Sequence, residues 1–336
     1  GGAADSGVHR PAHRLDPMKR RTLIVPCLAA LLALFFAGPR VEVIEHPLST
    51  PLPANLDDYL ARAEAAYPDI TPGAEKTILW ADPQHQQTDL AIVYLHGFSA
   101  TRQETAPLSD ELAHLLGANL FYTRLAGHGR SAAALGEVTA GDWLADAEEA
   151  LAIGKRLGRK VVIIGTSTGG TLAAWLAVAR QDPQVLAFVL ISPNFGPTDP
   201  AAQVLTWPWA SYFTPWLMGP QRQWTPLNEQ QARFWNHVYP TRALLPMMAL
   251  VKAVNALPLE QTAAPILLIH AADDTVVSAE AATRAFSRFG SAQKQRVALQ
   301  HSQDPSHHVL AGRIIAPGDT ARVRSLIERF LESLPR

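Results

Sequence analysis

The 336-residue chain has a single cysteine, Cys27, which excludes an intramolecular disulfide and any cluster of thiolate metal ligands. It also lacks an excess of either charge, with 29 basic against 30 acidic residues and a net charge of -1. Beyond Lys19-Arg20-Arg21 no basic block offsets that balance, so the electrostatic footprint of a nucleic-acid binder is missing. His96, His128, His270, His301, His307 and His308 show no H-E-x-x-H and no short His-x-His spacing, and no carboxylate cluster accompanies them, so no metal is expected. No G-x-x-x-x-G-K-[ST] loop occurs, and no G-x-G-x-x-G follows the first predicted strand, which argues against a nucleotide cofactor. Repeats at a fixed period are absent, and 21 Gly and 26 Pro exclude a collagen-like or low-complexity chain. What remains, 48% apolar and 18% charged side chains, describes a globular chain of enzyme size with a sizeable core.

The first 40 residues read differently from the rest. Residues 1–17 are small and polar; then come Lys19-Arg20-Arg21 and an uncharged run from Thr22, taken as an apolar segment over 22–38. A positive cluster before an apolar run is the pattern of an export signal or an uncleaved N-terminal anchor, with the cluster staying on the cytoplasmic side. The expectation is therefore a leader over 1–40 that carries the chain across the inner membrane, either released or anchored by residues 22–38. A linking segment over 41–74 follows.

From residue 75 onward, short aliphatic or β-branched runs alternate with helical stretches. The predicted strands are Lys76–Ala81, Leu90–Leu95, Asn119–Arg124, Lys160–Gly165, Val185–Ser192, Pro265–Ala271 and Gln295–His301. Helices are predicted over Thr105–Leu116, Asp142–Leu157, Gly169–Gln181, Ala279–Phe289 and Asp319–Leu334. Runs such as Val161-Val162-Ile163-Ile164 are apolar on both faces, as in a sheet covered on two sides, so the fold class is α/β with a mostly parallel, doubly wound sheet. Phe195–Pro258 breaks the alternation: it holds no clear strand and carries Trp207, Trp209, Trp216, Trp224 and Trp235. A structureless loop of that length is rare, so a helical cap over about 195–258 is expected, some of its aromatics lining an apolar pocket.

Chemistry enters at Gly165-Thr166-Ser167-Thr168-Gly169, placed between a predicted strand and a predicted helix. The G-x-S-x-G turn needs glycine on both sides because the serine sits on a strained bend that admits no neighbouring side chains. By chance such a pentapeptide would occur in roughly one chain in twenty, and its strand–turn–helix setting makes it far more specific. A serine hydroxyl needs a base. Acid and base candidates follow in the order serine, acid, histidine: Asp273 or Asp274 after one strand, His307 or His308 after the next. Consecutive side chains of an extended segment point opposite ways, so one of each pair can face Ser167. For the oxyanion, the expected donors are the backbone N–H of Thr168 and that of Phe98, in the turn His96-Gly97-Phe98 after an earlier strand. His96 and His128 are read as residues that orient loops.

With these residues placed, residues 75–336 resemble the α/β-hydrolase superfamily, and within it the capped carboxylesterase and monoacylglycerol-lipase-like group. The likeness rests on His96-Gly97-Phe98, Arg124-Leu125-Ala126-Gly127-His128-Gly129, the serine turn, the insertion, Asp273-Asp274-Thr275-Val276-Val277 and Ser306-His307-His308-Val309-Leu310. The resemblance implies an acid three residues before a hydrophobic one and a histidine directly before one, which favours Asp274 and His308. It implies a serine carboxylesterase without cofactor, acting on a small-molecule ester of short- to medium-chain acyl or monoacylglycerol type. A peptidase of the same fold would want acids in the cap to hold an amine, and the insertion offers only Asp199 and Glu229.

Overall fold

Strands apolar on both faces need cover on both sides, and the computed structural model, which describes residues 17–46 and 51–335, has that arrangement. The strands are β1 (Thr77–Leu79), β2 (Thr88–Leu95), β3 (Asn119–Tyr122), β4 (Gly158–Thr166), β5 (Val185–Ile191), β6 (Gln221–Gln223), β7 (Val238–Pro240), β8 (Ile266–Ala271) and β9 (Lys294–Leu299). The helices are α1 (Pro17–Phe36), α2 (Leu56–Ala65), α3 (Leu108–Leu116), α4 (Ala132–Leu135), α5 (Ala140–Leu157), α6 (Thr168–Ala179), α7 (Ala210–Met218), α8 (Glu229–Phe234), α9 (Leu244–Ala256), α10 (Ala279–Arg288) and α11 (Thr320–Glu332).

The main sheet has the order β1-β3-β2-β4-β5-β8-β9, parallel throughout except for β1. Alternation along β2 divides the core: Val93 and Leu95 join the layer of α5 and α6, whereas Ile92 and Tyr94 join the layer of α3 and α11. All of these side chains are fully buried. The chain runs from β2 outward to β3 and returns to place β4 on the other side of β2. That reversal is the topological switch point, where the loops leaving two neighbouring strands separate and a ligand site can open. Leu95 at the end of β2 stands level with Gly165 of β4, so the turn after β2 and the serine turn emerge side by side.

Two segments differ from the sequence expectation. The insertion over 195–258 is mainly helical, but β6 and β7 pair antiparallel within it, Gln221 opposite Pro240. Three residues are too few to show a period, and the exposed Gln-Arg-Gln of β6 carries no apolar face to betray a strand. The N-terminal segment also joins the fold earlier than residue 40. Trp209 donates its indole N–H to the Phe35 carbonyl (3.0 Å) and its backbone N–H to that of Pro39 (2.7 Å). Val41 and Val43 pack on the core, and Glu45 pairs with Arg180. Within 41–74, α2 buries Leu56 and Leu60, and its Glu64 forms a two-pronged ion pair with Arg124 (2.8 Å each). Residues 1–16 of the expected leader and 47–50 of the linking segment lie outside the described residues. Helix α1 covers most of the apolar run and exposes Leu28, Leu31, Leu32 and Leu34; among the described residues no helix is long and apolar enough to cross a membrane.

Candidate active site

Ser167 sits between β4 and α6 with φ 53° and ψ -118°, a conformation that L residues rarely adopt. The flanking glycines are required by distance. A Cβ on Gly169 would stand 2.0 Å from the Leu95 carbonyl oxygen, and one on Gly165 would stand 2.3 Å from that of Gly169. Backbone bonds then lock the bend: the Ser167 N–H donates to Ile191 (2.9 Å), and its carbonyl accepts from Asn194 (3.0 Å). Thr171 donates its hydroxyl to the Asn194 carbonyl (2.6 Å). The strain is held by three neighbouring elements, as a reactive turn requires.

Both Asp–His pairs exist in the structure, and their surroundings separate them. Asp274 Oδ2 accepts from His308 Nδ1 at 2.8 Å, with the aspartate side chain 1% exposed. Its Oδ1 accepts the N–H groups of Val276 (2.8 Å) and Val277 (2.9 Å). That bond to Val277 is the physical content of an acid placed three residues before a hydrophobic one. Asp273 and His307 approach at 3.5 Å on the surface, half and a quarter exposed respectively, facing away. The two pairs are set apart by turns and not by extended alternation, His307 standing at φ 56°; Asp274–His308 is the buried pair, and its histidine lines the same cavity as Ser167.

His308 is fixed by a residue that the sequence reading passed over. Asp304 Oδ2 accepts the N–H of His308 (3.0 Å), the N–H of Val309 (2.7 Å) and the Ser306 hydroxyl (2.6 Å). The dipeptide Asp304-Pro305 is a turn signal that could have drawn notice. Burial alone would lower the basicity of His308. The bonded Asp274 carboxylate, with Glu104 and Asp304 nearby, outweighs it and raises the imidazole above its ordinary pKa.

The turn after β2 is built around His96. Its Nδ1 donates to the Gly97 carbonyl (2.9 Å) and its Nε2 accepts the Leu125 N–H (3.0 Å); burial holds the ring neutral, well below its ordinary pKa. His128 donates from Nδ1 to the Ala126 carbonyl (3.0 Å), and burial pushes it down to about 4. Both rings are therefore structural. The Phe98 ring is wedged edge-on among His128, Trp143 and Tyr239 at 5.4–6.0 Å between centroids, which fixes the backbone of that residue. Among the described residues no acceptor engages the N–H of Phe98 or that of Thr168, the first residue of α6. Glu104, also missed by sequence, lies behind this turn: its Oε2 accepts the Gly97 N–H (2.8 Å) and the Tyr94 hydroxyl (3.1 Å).

Phe98, Ser167, Thr168 and His308 line one cavity of about 550 Å³, roofed by the insertion. Of the five cap tryptophans, Trp224 and Trp235 face the cavity, alongside Tyr239, Leu244 and Met247. Trp207 and Trp216 are exposed, and Trp209 holds the N-terminal segment. The cap supplies one charged side chain to the cavity lining, Arg222, and no carboxylate: Asp199 caps a 3-10 turn, and Glu229 lines a more open hollow of about 620 Å³ on the outside. That outer hollow contains none of the candidate residues. No group of His, Cys, Asp and Glu among the described residues could hold a metal ion.

Comparison with known proteins agrees with the fold. The family model described as Hydrolase_4, serine aminopeptidase, S33, matches residues 86–303, close to two thirds of the chain. A thermostable monoacylglycerol lipase of Bacillus sp. (strain H-257) is 31% identical over 93 residues, 28% of this chain; the match spans 37% of that protein's length. Among solved structures, one of the metagenome-derived lipolytic enzymes LipS and LipT superposes with a TM-score of 0.63 at 21% identity, covering 78% of this chain and 99% of that one. A soluble variant of the monoglyceride lipase of Saccharomyces cerevisiae, in complex with a substrate analogue, gives 0.61 at 13%, covering 80% and 99%. The monoacylglycerol lipase of Paleococcus ferrophilus gives 0.56 at 17%, covering 77% and 99%. At such identities the likeness is one of fold.

Proposed function

Because the chain belongs to the Hydrolase_4 family of α/β-hydrolases, we propose that it is a serine carboxylesterase that works through an acyl-enzyme on Ser167. The observation that carries this reading is the buried Asp274–His308 bond at the wall of the cavity that Ser167 also lines. With Nδ1 committed to Asp274, the neutral imidazole presents Nε2 as the base. Ser167 Oγ attacks the ester carbonyl and gives its proton to Nε2, and the N–H groups of Phe98 and Thr168 receive the oxyanion. The alcohol leaves with the proton from Nε2, and the acyl group stays on Oγ. Water then gives a proton to His308 and attacks the acyl carbonyl; collapse releases the acid and returns the proton to Oγ. Asp274 holds the tautomer and balances the imidazolium charge without taking the proton.

The lining supports an apolar acyl group. Trp224, Trp235, Leu244 and Met247 offer burial energy of about 25 cal/mol per Å² of acyl surface covered. Short- to medium-chain esters and monoacylglycerols fit this description. An aminopeptidase of this fold would want an acid in the cap to hold a peptide ammonium, and the cap contributes Arg222 instead; the two carboxylates of the lining, Glu104 and Asp304, are engaged by backbone N–H groups of the Gly97 turn and the His308 loop. The apolar run 22–38 behind Lys19–Arg21 supports export or anchoring. Labelling by a fluorophosphonate probe, with initial rates on p-nitrophenyl esters from acetate to palmitate and on monoacylglycerols, tests the reading. Absence of label and of turnover on every ester would refute it.

A further inference from the structure

Glu104 ends a short 3-10 turn, Arg102–Glu104, in a polar stretch that reads as surface, yet it is 2% exposed. A carboxyl group removed from water is costly unless its oxygens are used. Oε2 takes the Gly97 N–H and the Tyr94 hydroxyl. The residue also lines the cavity that holds Ser167 and His308. A Cβ added at Gly97 would lie 2.6 Å from Glu104 Oε1 and 3.1 Å from Ser167 Cβ, so carboxyl and serine flank the same glycine. The absence of a side chain at residue 97 is what lets the carboxyl reach the site.

Resting on the esterase reading, we propose that Glu104 is a positioning residue of the active site, anchoring the Gly97–Phe98 turn that carries the oxyanion donor and supplying His308 with a negative charge in addition to those of Asp274 and Asp304. The titratable and charged groups around it are few. Tyr94 of β2 and His308, from the loop after β9, face Glu104; Asp274, from the loop after β8, Asp304, from its own loop, and Glu104 face His308. Among the described residues no lysine or arginine pairs with Glu104, so its counter-charge is the imidazolium that forms during the reaction. Burial pushes the carboxyl up to about 7, against the opposing pull of the Gly97 N–H, His308 and Tyr94.

Two variants separate the two parts of the role. Glu104→Gln keeps an acceptor for Gly97 and removes the charge. A nearby negative charge favours the imidazolium, so its loss should lower the acid limb of kcat/KM by about 0.5 to 1 pH unit. Glu104→Asp keeps the charge but withdraws the carboxyl by one methylene. Its limb should stay within about 0.2 unit of wild type, while kcat falls about tenfold at nearly constant KM through loss of the turn's anchor. The measurement is p-nitrophenyl butyrate hydrolysis against pH, with melting curves for each full-length protein. A folded Glu104→Gln variant with the wild-type limb overturns the proposal. Should Glu104→Gln fail to fold, Glu104→Asp decides: lower kcat at an unchanged limb supports the role, and wild-type kcat overturns it. A wild-type protein that neither labels nor turns over any ester refutes the esterase reading itself, a result distinct from these.

Discussion

Replacing Asp274 by asparagine tests the mechanism more sharply than removing it, because the surroundings dictate how the amide must lie. Oδ1 accepts two backbone N–H groups, from Val276 and Val277, at 2.8 and 2.9 Å. An amide NH2 cannot accept them, so the carbonyl oxygen of the asparagine is held there and the NH2 turns toward His308. Nδ1 then has to accept, which moves the ring proton to Nε2. A ring protonated at Nε2 cannot take the proton of Ser167. The geometry survives and the base is lost, a change that lowers turnover on the order of 10⁴-fold, about 5 kcal/mol of transition-state stabilisation. The assay is kcat on p-nitrophenyl butyrate at alkaline pH, with the fold checked by melting. Asp273→Asn is the internal control: its half-exposed side chain meets His307 at 3.5 Å on the surface, so its turnover should stay within about threefold of wild type. An Asp274→Asn enzyme that folds and keeps more than about a tenth of wild-type kcat would refute the assignment. A dead Asp273→Asn enzyme beside an active Asp274→Asn enzyme would move the acid by one residue.

Ser167→Ala should abolish turnover by on the order of 10⁴- to 10⁶-fold, and Ser167→Gly should be equally inactive but about 1 kcal/mol more stable than Ser167→Ala in chemical denaturation, since only glycine relaxes the positive φ. The acid limb of wild-type kcat/KM should have its midpoint above 6.5: His308 must be neutral to act as base, its folded pKa is raised, and activity falls as pH drops through it. Trp235→Ala should leave acetate hydrolysis nearly unchanged and weaken longer esters progressively, by up to about 0.8 kcal/mol for each CH₂ no longer covered; equal loss on all esters would mean that the cap supports the fold and not the pocket. Deleting residues 1–34 should preserve activity and melting temperature, whereas deleting 1–46 should lower the melting temperature, because Trp209 and Arg180 lose their partners and the core loses the cover of Val41 and Val43.

What sequence could reveal tracks how local the determining physics is. The central strands of the main sheet are legible because burial on both faces leaves unbroken apolar runs, as in Val161–Ile164 and Ile266–Ile269. The serine turn is legible because its glycines answer a steric demand within five residues. The pairs Asp273/Asp274 and His307/His308 stay ambiguous by alternation alone; the family spacing favours His308, which stands directly before Val309, but it fits both aspartates, Asp273 before Val276 and Asp274 before Val277. What separates them is turn geometry that no period encodes: the Val276 and Val277 N–H groups close on Asp274, Asp304 closes on the His308 loop, and the two turns meet across 34 residues in the Asp274–His308 bond. The docking of Phe35 and Pro39 on the cap is illegible because its partner is distant, as an apolar run gives no hint of the indole waiting at Trp209.

Glu104 marks the limit of sequence reading most clearly. In Thr101-Arg102-Gln103-Glu104 nothing distinguishes its carboxylate from that of any solvated turn, and no period places it inward. Its burial is decided by three distant facts acting together: Tyr94 reaching up from β2, the missing side chain at Gly97, and a cavity roofed by the cap. Remove any one and the residue would be expected to turn out to water, because a carboxyl without partners does not stay in a core. The general consequence is that residues which carry the reaction announce themselves through steric and spacing rules, while residues that tune it are defined by the company the fold assembles. A buried charge in a stretch that reads as surface is thus a stronger pointer to function than a buried charge where burial was foreseen.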